Sequence, residues 1–256
     1  MTFYEPRLEG LRPGSRAYFE VQRKLINERP LVRACYEAWY TNFLEDEATV
    51  PQEKKGALLE IGCGASFLGE MVDGLVMSDI SEGLADCVMR AEMIPFRDES
   101  VRAIFVAHGL HHFFDVQSFF EEVARVLVPG GVLCLVEPAH TLLARFFFSE
   151  VCVDEGYDDQ TKTWKPGDVG WRDANQALSW IVFSRDYEDF RRKFPELRLE
   201  KSKSLPWFGY SLSGGVTRKN PIPTSLVPLV CPIEFMLKSV APLTSLHWFL
   251  TVKKTE

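Results

Sequence analysis

A short apolar run, Ala57-Leu58-Leu59-Glu60-Ile61, breaks into Gly62-Cys63-Gly64, and a second run, Leu75-Val76-Met77-Ser78, closes on Asp79. Runs of this length bounded by glycine read as buried strands. Phe67 to Val72 can open a helix near 67–73, so the segment is a strand, a tight turn, a helix and a second strand. That is the start of a parallel α/β sheet.

The glycines let a ligand approach the backbone, and a helix start behind them would offer unpaired amides. Asp79 stands 17 positions after Gly62. An acid at about 20 residues from such a turn meets ribose hydroxyls in nucleotide-binding folds. A dinucleotide fingerprint needs a third glycine where Phe67 stands; here it falls late, at Gly69. Glu60 would repel a phosphate and suits a ligand carrying an ammonium group. A cationic nucleoside bearing an amino acid fits better than a nicotinamide dinucleotide, which is the distant alternative.

Several further blocks extend this reading. Ala91-Glu92-Met93-Ile94-Pro95-Phe96 follows the second strand, Leu110-His111-His112 follows a fourth, and Arg125-Val126-Leu127-Val128-Pro129-Gly130-Gly131 precedes a fifth. With Glu60-Ile61-Gly62-Cys63-Gly64 and Asp79 these blocks resemble the class I S-adenosylmethionine-dependent methyltransferases of the type 11 kind, over about residues 57 to 138. The resemblance implies that Glu60 faces the methionine part of S-adenosylmethionine and that Gly62, Cys63 and Gly64 bind the same cofactor. It also implies that Asp79 meets the ribose, that Ile80 beside it is cofactor-binding, and that Ala91 and Glu92 lie near the adenine. Arg90 departs from the family, which often carries aspartate there, and leaves adenine recognition to Glu92 or backbone groups.

The chain has 256 residues, 46% hydrophobic and 25% charged, an ordinary composition for one large α/β domain. A net charge of −7 argues against a broad nucleic-acid-binding face. The six cysteines, Cys35, Cys63, Cys87, Cys134, Cys152 and Cys231, include no Cys-x-x-Cys pair and read as reduced core residues. The N-terminus lacks the charge and apolar pattern of a leader, and no apolar run reaches the ~18 residues of a membrane span. A soluble, cytoplasmic protein is the expectation.

The expected fold is a Rossmann-like, doubly wound, mostly parallel seven-stranded sheet, with N-terminal helices and a long insertion before a last antiparallel strand. Residues 1–50 form a helical cover, with Leu31, Ala34, Cys35, Ala38 and Trp39 on one face. Residues 55–138 form the cofactor-binding core. Strands are expected at 57–61, 75–79, 87–90, 102–107 and 132–137, a single-turn helix near 81–86, and a longer helix at 116–128 ended by Pro129-Gly130-Gly131. Residues 139–245 make a substrate-side elaboration, and 246–254 contain the last strand.

That elaboration holds Asp173 to Leu178, Trp207 to Val216 and a proline-rich stretch from Pro221 to Pro232. It resembles more loosely a subgroup of type 11 methyltransferases associated with bacterial polysaccharide biosynthesis. A hydroxyl on a sugar or sugar-linked intermediate is therefore the expected acceptor. Small-molecule nitrogen, carbon or phenolic oxygen is the alternative, and a cofactor-binding module without catalysis is another. The stretch Leu226 to Leu237 reads as a packed helix or as a surface touching a membrane. The aromatics Trp164, Trp171, Trp180, Trp207, Phe208 and Tyr210 could stack a flat acceptor or be core. Ser213-Gly214-Gly215 reads as a flexible lid.

Methyl transfer to a hydroxyl calls for a base, and histidine titrates near neutrality. His111 or His112 is the candidate base and His108 a cofactor wall; alternatively the histidines only pack beside the adenosine. Their loop spacing, with Asp115, specifies no coordination geometry, and no metal is expected. Glu137, at the end of the fifth strand, is read as a cap for the following loop or as a substrate contact.

Overall fold

Buried residues alternate in sense along each central strand, which fixes a sheet covered on both faces. In β4 (Val101–Ala107), Ile104 and Val106 join one core while Ala103 and Phe105 join the other. In β5 (Leu127–Pro138), Leu133 and Leu135 oppose Val132, Cys134 and Val136 in the same way. Such double-sided burial gives near-continuous apolar strands.

The computed structural model describes residues 4–152, 155–166, 174–205, 208–220 and 222–255. Trp171, Asp173, Trp207 and Pro221 lie outside the described residues, as do the side chains of Phe208 and Cys231.

The seven strands run β3-β2-β1-β4-β5-β7-β6, with β1 at Ala57–Ile61, β2 at Leu75–Asp79, β3 at Cys87–Val88, β6 at Leu197–Ser204 and β7 at His247–Lys254. The first five are parallel; β7 pairs antiparallel with both β5 and β6. This is the expected Rossmann-like doubly wound sheet. The strand order reverses between β1 and β4, and ligands bind at the carboxyl ends of strands flanking such a point.

Strand β6 was not anticipated. Its sequence, Leu-Arg-Leu-Glu-Lys-Ser-Lys-Ser, is mostly exposed beyond Leu197. An edge strand marked by charge discourages pairing with other chains and carries no apolar alternation to read.

The helix expected near 67–73 is a single 3₁₀ turn, Leu68–Glu70. Ser66 Oγ accepts from the Leu68 amide at 3.1 Å, and Gly74, at φ +73°, reverses the chain into β2. Gly69 packs so closely on Met77 that an added Cβ would stand 2.8 Å from its sulfur. The connection is too short for a full crossover helix. Residues 81–86 likewise form a turn, clamped by the Asp86 amide to Met77 O at 2.8 Å and the Met77 amide to Asp86 Oδ2 at 2.9 Å.

Helix α1 (Arg16–Glu28) starts at Ser15, whose hydroxyl accepts from the Tyr18 amide, and α2 (Pro30–Glu47) starts with proline at its first turn. Both cover one sheet face. The buried stripe of α2 is Leu31, Val32, Trp39, Tyr40 and Phe43, while Ala34 and Ala38 are exposed. The larger side chains have rotated the helix away from the expected face.

On the opposite face, α3 (Val116–Val126) buries Val116, Phe119, Phe120 and Val123, and Asp115 caps it by accepting from the Gln117 and Ser118 amides. The helix stops before the proline-glycine signal. Leu127 already pairs with Val101, so Pro129-Gly130-Gly131 lies inside β5.

Among the described residues no helix is long and apolar enough to cross a membrane. The described cysteines Cys35, Cys63, Cys87, Cys134 and Cys152 form no disulfide.

Candidate functional site

A cavity of about 920 Å³ opens at the carboxyl ends of β1, β2 and β4. It brings together Glu60, Gly62, Cys63, Gly64, Asp79, Ile80, Ala91, Glu92, His108, His111 and His112. These are all the site residues expected from the sequence.

Glu60, near the end of β1, is 1% exposed, and its Oε2 has no hydrogen-bond partner. Burial pushes its pKa up to about 8 against the pull of Ser66 and Arg23. A buried, unpaired carboxylate oxygen is costly unless a cationic donor reaches it.

The turn beyond it is locked. Gly62 and Gly64 have φ of +71° and +48°, which glycine adopts without penalty. The Cys63 amide donates to Ser78 O at 2.9 Å and the Gly64 amide to Asp79 Oδ2 at 3.0 Å. With those amides committed and only a 3₁₀ turn behind them, a pyrophosphate lacks the donors it needs. Burial first, and then Glu60 and Asp79, hold the Cys63 thiol protonated, well above its ordinary pKa.

Asp79 Oδ1 accepts from both the amide and the hydroxyl of Ser81 at 2.9 Å. Each carboxylate oxygen accepts about two hydrogen bonds. One lobe of Oδ2 is therefore left for a ligand hydroxyl. Nearby, Glu92 Oε1 accepts from the Asp115 amide at 3.2 Å, and Arg90 Nε stands 3.5 Å from Glu92 Oε2. Arg90 also lies over the Phe114 ring at 4.5 Å. The unusual arginine thus braces Glu92.

The other end of the cavity is built after β4. His108 adopts φ +56°, rare for a residue with a Cβ, and its amide donates to Val136 O at 2.8 Å. Burial lowers its pKa to about 4, so it is neutral, and its Nε2 is unpartnered. The next residues turn sharply: Glu137 Oε1 accepts from the Gly109 and Leu110 amides at 2.9 Å each, and Glu137 Oε2 meets His111 Nδ1 at 2.5 Å. Glu137 therefore caps the loop after β4, not the loop that follows its own strand. It is fully buried behind the cavity wall.

His111 is 1% exposed, and its Nε2 lies 3.3 Å from Glu155 Oε2. His112 Nε2 lies 3.5 Å from Glu155 Oε1. Burial opposes charge on His111, but Glu137 and Glu155 overcome it and raise its pKa to about 10. Glu155, despite its burial, is held well below the usual carboxylate range by the two histidines.

Glu155 is a functional candidate that sequence reasoning missed. It sits in the irregular insertion, with no periodicity or motif to mark it. Tyr36 and Tyr40 of α2 also line the cavity and were missed; their i, i+4 spacing was the available signal. Asp115 does not join the histidines: it caps α3 and pairs with Lys165 at 2.8 Å.

Of the candidate aromatics, Tyr210 lines the cavity. Trp164 is buried against Phe190 and donates to Asp186 at 3.0 Å, and Trp180 stacks on His140 at 3.7 Å. The Ser213-Gly214-Gly215 turn is tied down rather than free: Ser213 Oγ accepts from the Gly215 amide at 3.0 Å, and Arg29 donates to Gly215 O at 2.8 Å.

Solved structures share this fold at low identity. A SAM-dependent methyltransferase from Thermotoga maritima aligns at TM-score 0.53 and 15% identity, over 93% of this chain and 100% of its own. A Haloferax volcanii protein in complex with the Trm112 methyltransferase activator aligns at 0.50 and 15%, over 92% and 97%. Phosphoethanolamine N-methyltransferase 2 from Haemonchus contortus, in complex with S-adenosyl-L-methionine, aligns at 0.50 and 12%, over 100% and 60%. Residues 59–135, the stretch carrying the glycine turn, Asp79, the histidines and most of β5, match the family model of a methyltransferase domain.

Proposed function

We propose that the protein transfers a methyl group from S-adenosylmethionine to a small-molecule acceptor. The observation that carries this reading is Glu60: a buried carboxylate with an unpartnered oxygen, at the glycine turn, in the same cavity as Asp79. The residues fit the cofactor. Glu60 Oε2 would take its ammonium, the free lobe of Asp79 Oδ2 a ribose hydroxyl, and Ile80, Ala91 and Glu92 would flank the base. His108 forms the wall between this half and the acceptor end. The methyltransferase-domain match over residues 59–135 supports the same reading.

The bound cofactor supplies a methyl group activated by an adjoining sulfonium. The protein's own work is then to align an acceptor, exclude water and receive a proton. Tyr36, Tyr40, Phe148 and Tyr210 wall the cavity with apolar surface. His111 and His112 are the proposed catalytic residues: with Glu155 they line the cavity, His112 and the Glu155 carboxylate as the proton acceptors and His111, whose pKa of about 10 keeps it protonated, as a cationic donor beside the acceptor. Glu137 orients His111 through Nδ1.

The acceptor we favour carries a hydroxyl, a sugar or sugar-linked hydroxyl included, because a hydroxyl needs a proton acceptor in line with the methyl group. Gln176, Lys165 and Arg218 add polar atoms to the wall. A nitrogen, carbon or phenolic acceptor is already nucleophilic and would make the histidines dispensable.

A second feature bears on how the acceptor is presented. Leu142 is 78% and Phe146 60% exposed, while Phe147 and Phe148 on the same turn line the cavity. This exposed pair beside the cavity wall suits an acceptor with an apolar tail held at a membrane surface.

Calorimetric titration with S-adenosylmethionine and S-adenosylhomocysteine, with NADH as the control, tests the reading. Saturable binding of the first two, and turnover on a hydroxyl acceptor that His112→Ala slows, is expected. Binding without turnover on any acceptor would favour a non-catalytic cofactor-binding module, and binding of NADH alone would revive a dehydrogenase.

A further inference from the structure

The acceptor end gathers two imidazoles and a carboxylate at one place in the cavity wall. Two carboxylates flank His111: Glu137 lies behind it against Nδ1 and Glu155 in front of it near Nε2.

The spacing also has a chemical meaning. His111 Nε2, His112 Nε2 and a Glu155 carboxylate oxygen lie within 4.8 Å of one another. The two histidine-to-carboxylate separations are 3.3 and 3.5 Å. Donors around a tetrahedral ion with bonds of about 2.0–2.1 Å stand about 3.3–3.4 Å apart. Both separations, each to a different Glu155 oxygen, are of the length that the edges of such a shell have.

Glu137 strengthens the case. It accepts from His111 Nδ1 and is itself saturated by two backbone amides. That bond fixes a proton on Nδ1 and leaves Nε2, which faces Glu155, as the nitrogen an ion would bind in exchange for its proton. A histidine oriented by a carboxylate in this way is the usual support of a metal-bound imidazole. His112 and Glu155 are partly exposed toward the cavity, so an ion has a route in.

We propose that His111, His112 and Glu155 bind one divalent transition ion of the zinc class, with Glu137 as the positioning residue behind His111 and a fourth position open to the cavity. Two imidazoles and one carboxylate favour zinc over magnesium, which prefers oxygen donors. Three protein ligands with one open position is the pattern of a catalytic rather than a structural site. Its role rests on the methyltransferase reading: an acceptor oxygen at the open position would be held beside the methyl group and would give up its proton more easily. The binding itself does not rest on that reading and is tested without cofactor.

The purified full-length protein, stripped with a chelator and checked for folding by circular dichroism, is titrated calorimetrically with zinc chloride. Glu155→Gln and His112→Asn serve as ligand variants, and Glu121→Gln, on the exposed face of α3, as the control. Saturable one-to-one binding, unchanged in Glu121→Gln and weakened by on the order of 100-fold in either ligand variant, is expected. Loading with cobalt(II) should give visible absorption of tetrahedral intensity that Glu155→Gln abolishes. No saturable binding to the folded native protein, or zinc affinity equal in native protein and both ligand variants, overturns the proposal and leaves the cofactor reading untouched.

Discussion

Asp79 Oδ2 accepts a hydrogen bond from the Gly64 amide at 3.0 Å, so the acid that closes β2 also sets the turn that closes β1. The same carboxylate holds Ser81 through both its amide and its hydroxyl. Asp79 is therefore a structural strap as well as the proposed ribose ligand. Two neighbouring strand ends are fixed relative to each other by one side chain.

Asp79→Ala should lower both stability and cofactor affinity. It leaves the Gly64 and Ser81 donors without their acceptor in a largely buried place, a loss of about 1–3 kcal/mol. Urea denaturation of the ligand-free variant measures the first effect and calorimetry the second. An unchanged midpoint would show that the strap is dispensable; unchanged cofactor affinity would remove the ribose role.

The pH dependence of binding should report Glu60. Its folded pKa is raised from 4.5 to about 8, so the folded ligand-free protein keeps a proton that the unfolded chain has already released. The resulting loss of ligand-free stability begins above pH 4.5, grows with pH and levels off above about 8. A cationic ligand favours the ionised form, so binding below pH 8 must expel that proton. Affinity for S-adenosylmethionine should rise by up to about tenfold per unit from pH 6 toward 8 and then flatten. Calorimetry across this range checks the slope, and Glu60→Gln should remove it.

Gly62→Val should affect binding more than folding. A β-branched residue at φ +71° is strained by about 1–2 kcal/mol. The added Cβ would meet only Gly109 Cα and Phe113, at 3.9 and 4.0 Å, so the branches would project into ligand space. Thermal denaturation should show a modest loss, whereas cofactor binding should become undetectable. Normal binding by the folded variant would move the cofactor elsewhere.

Glu137→Leu should be among the most damaging single changes. It strips the Gly109 and Leu110 amides of their acceptor and leaves His111 beside an apolar side chain. Removing one partner from a buried charged pair costs about 3–5 kcal/mol. Denaturant unfolding measures it, and a loss below about 1 kcal/mol would contradict the proposed anchoring.

The central sheet was legible because β1, β2, β4 and β5 are apolar on both faces and end in residues with chemical character. Helix α3 was legible for the same reason, through Phe119, Phe120 and Val123. Strand β6 was hidden because an exposed edge has no burial pattern to impose on its residues. The crossover helix at 67–73 failed because local propensity does not register how closely Gly69 must approach Met77. At the site, Glu60, the glycine turn and Asp79 are contiguous or regularly spaced, so sequence exposed them. Glu155 reaches His111 and His112 from a distant irregular segment, and only the folded chain brings them together. Glu137 was visible as the end of β5, but its partners were not, because they come from the loop of a neighbouring strand.

The most direct measurement is calorimetric titration of the folded protein with S-adenosylmethionine at pH 8, in parallel with Glu60→Gln. The native protein should bind saturably, and the variant should lose about 2 kcal/mol, roughly thirtyfold in affinity, with its charge-assisted hydrogen bond. Absence of binding to the folded native protein, or equal affinity in the two, would contradict the assignment of this cavity to the cofactor.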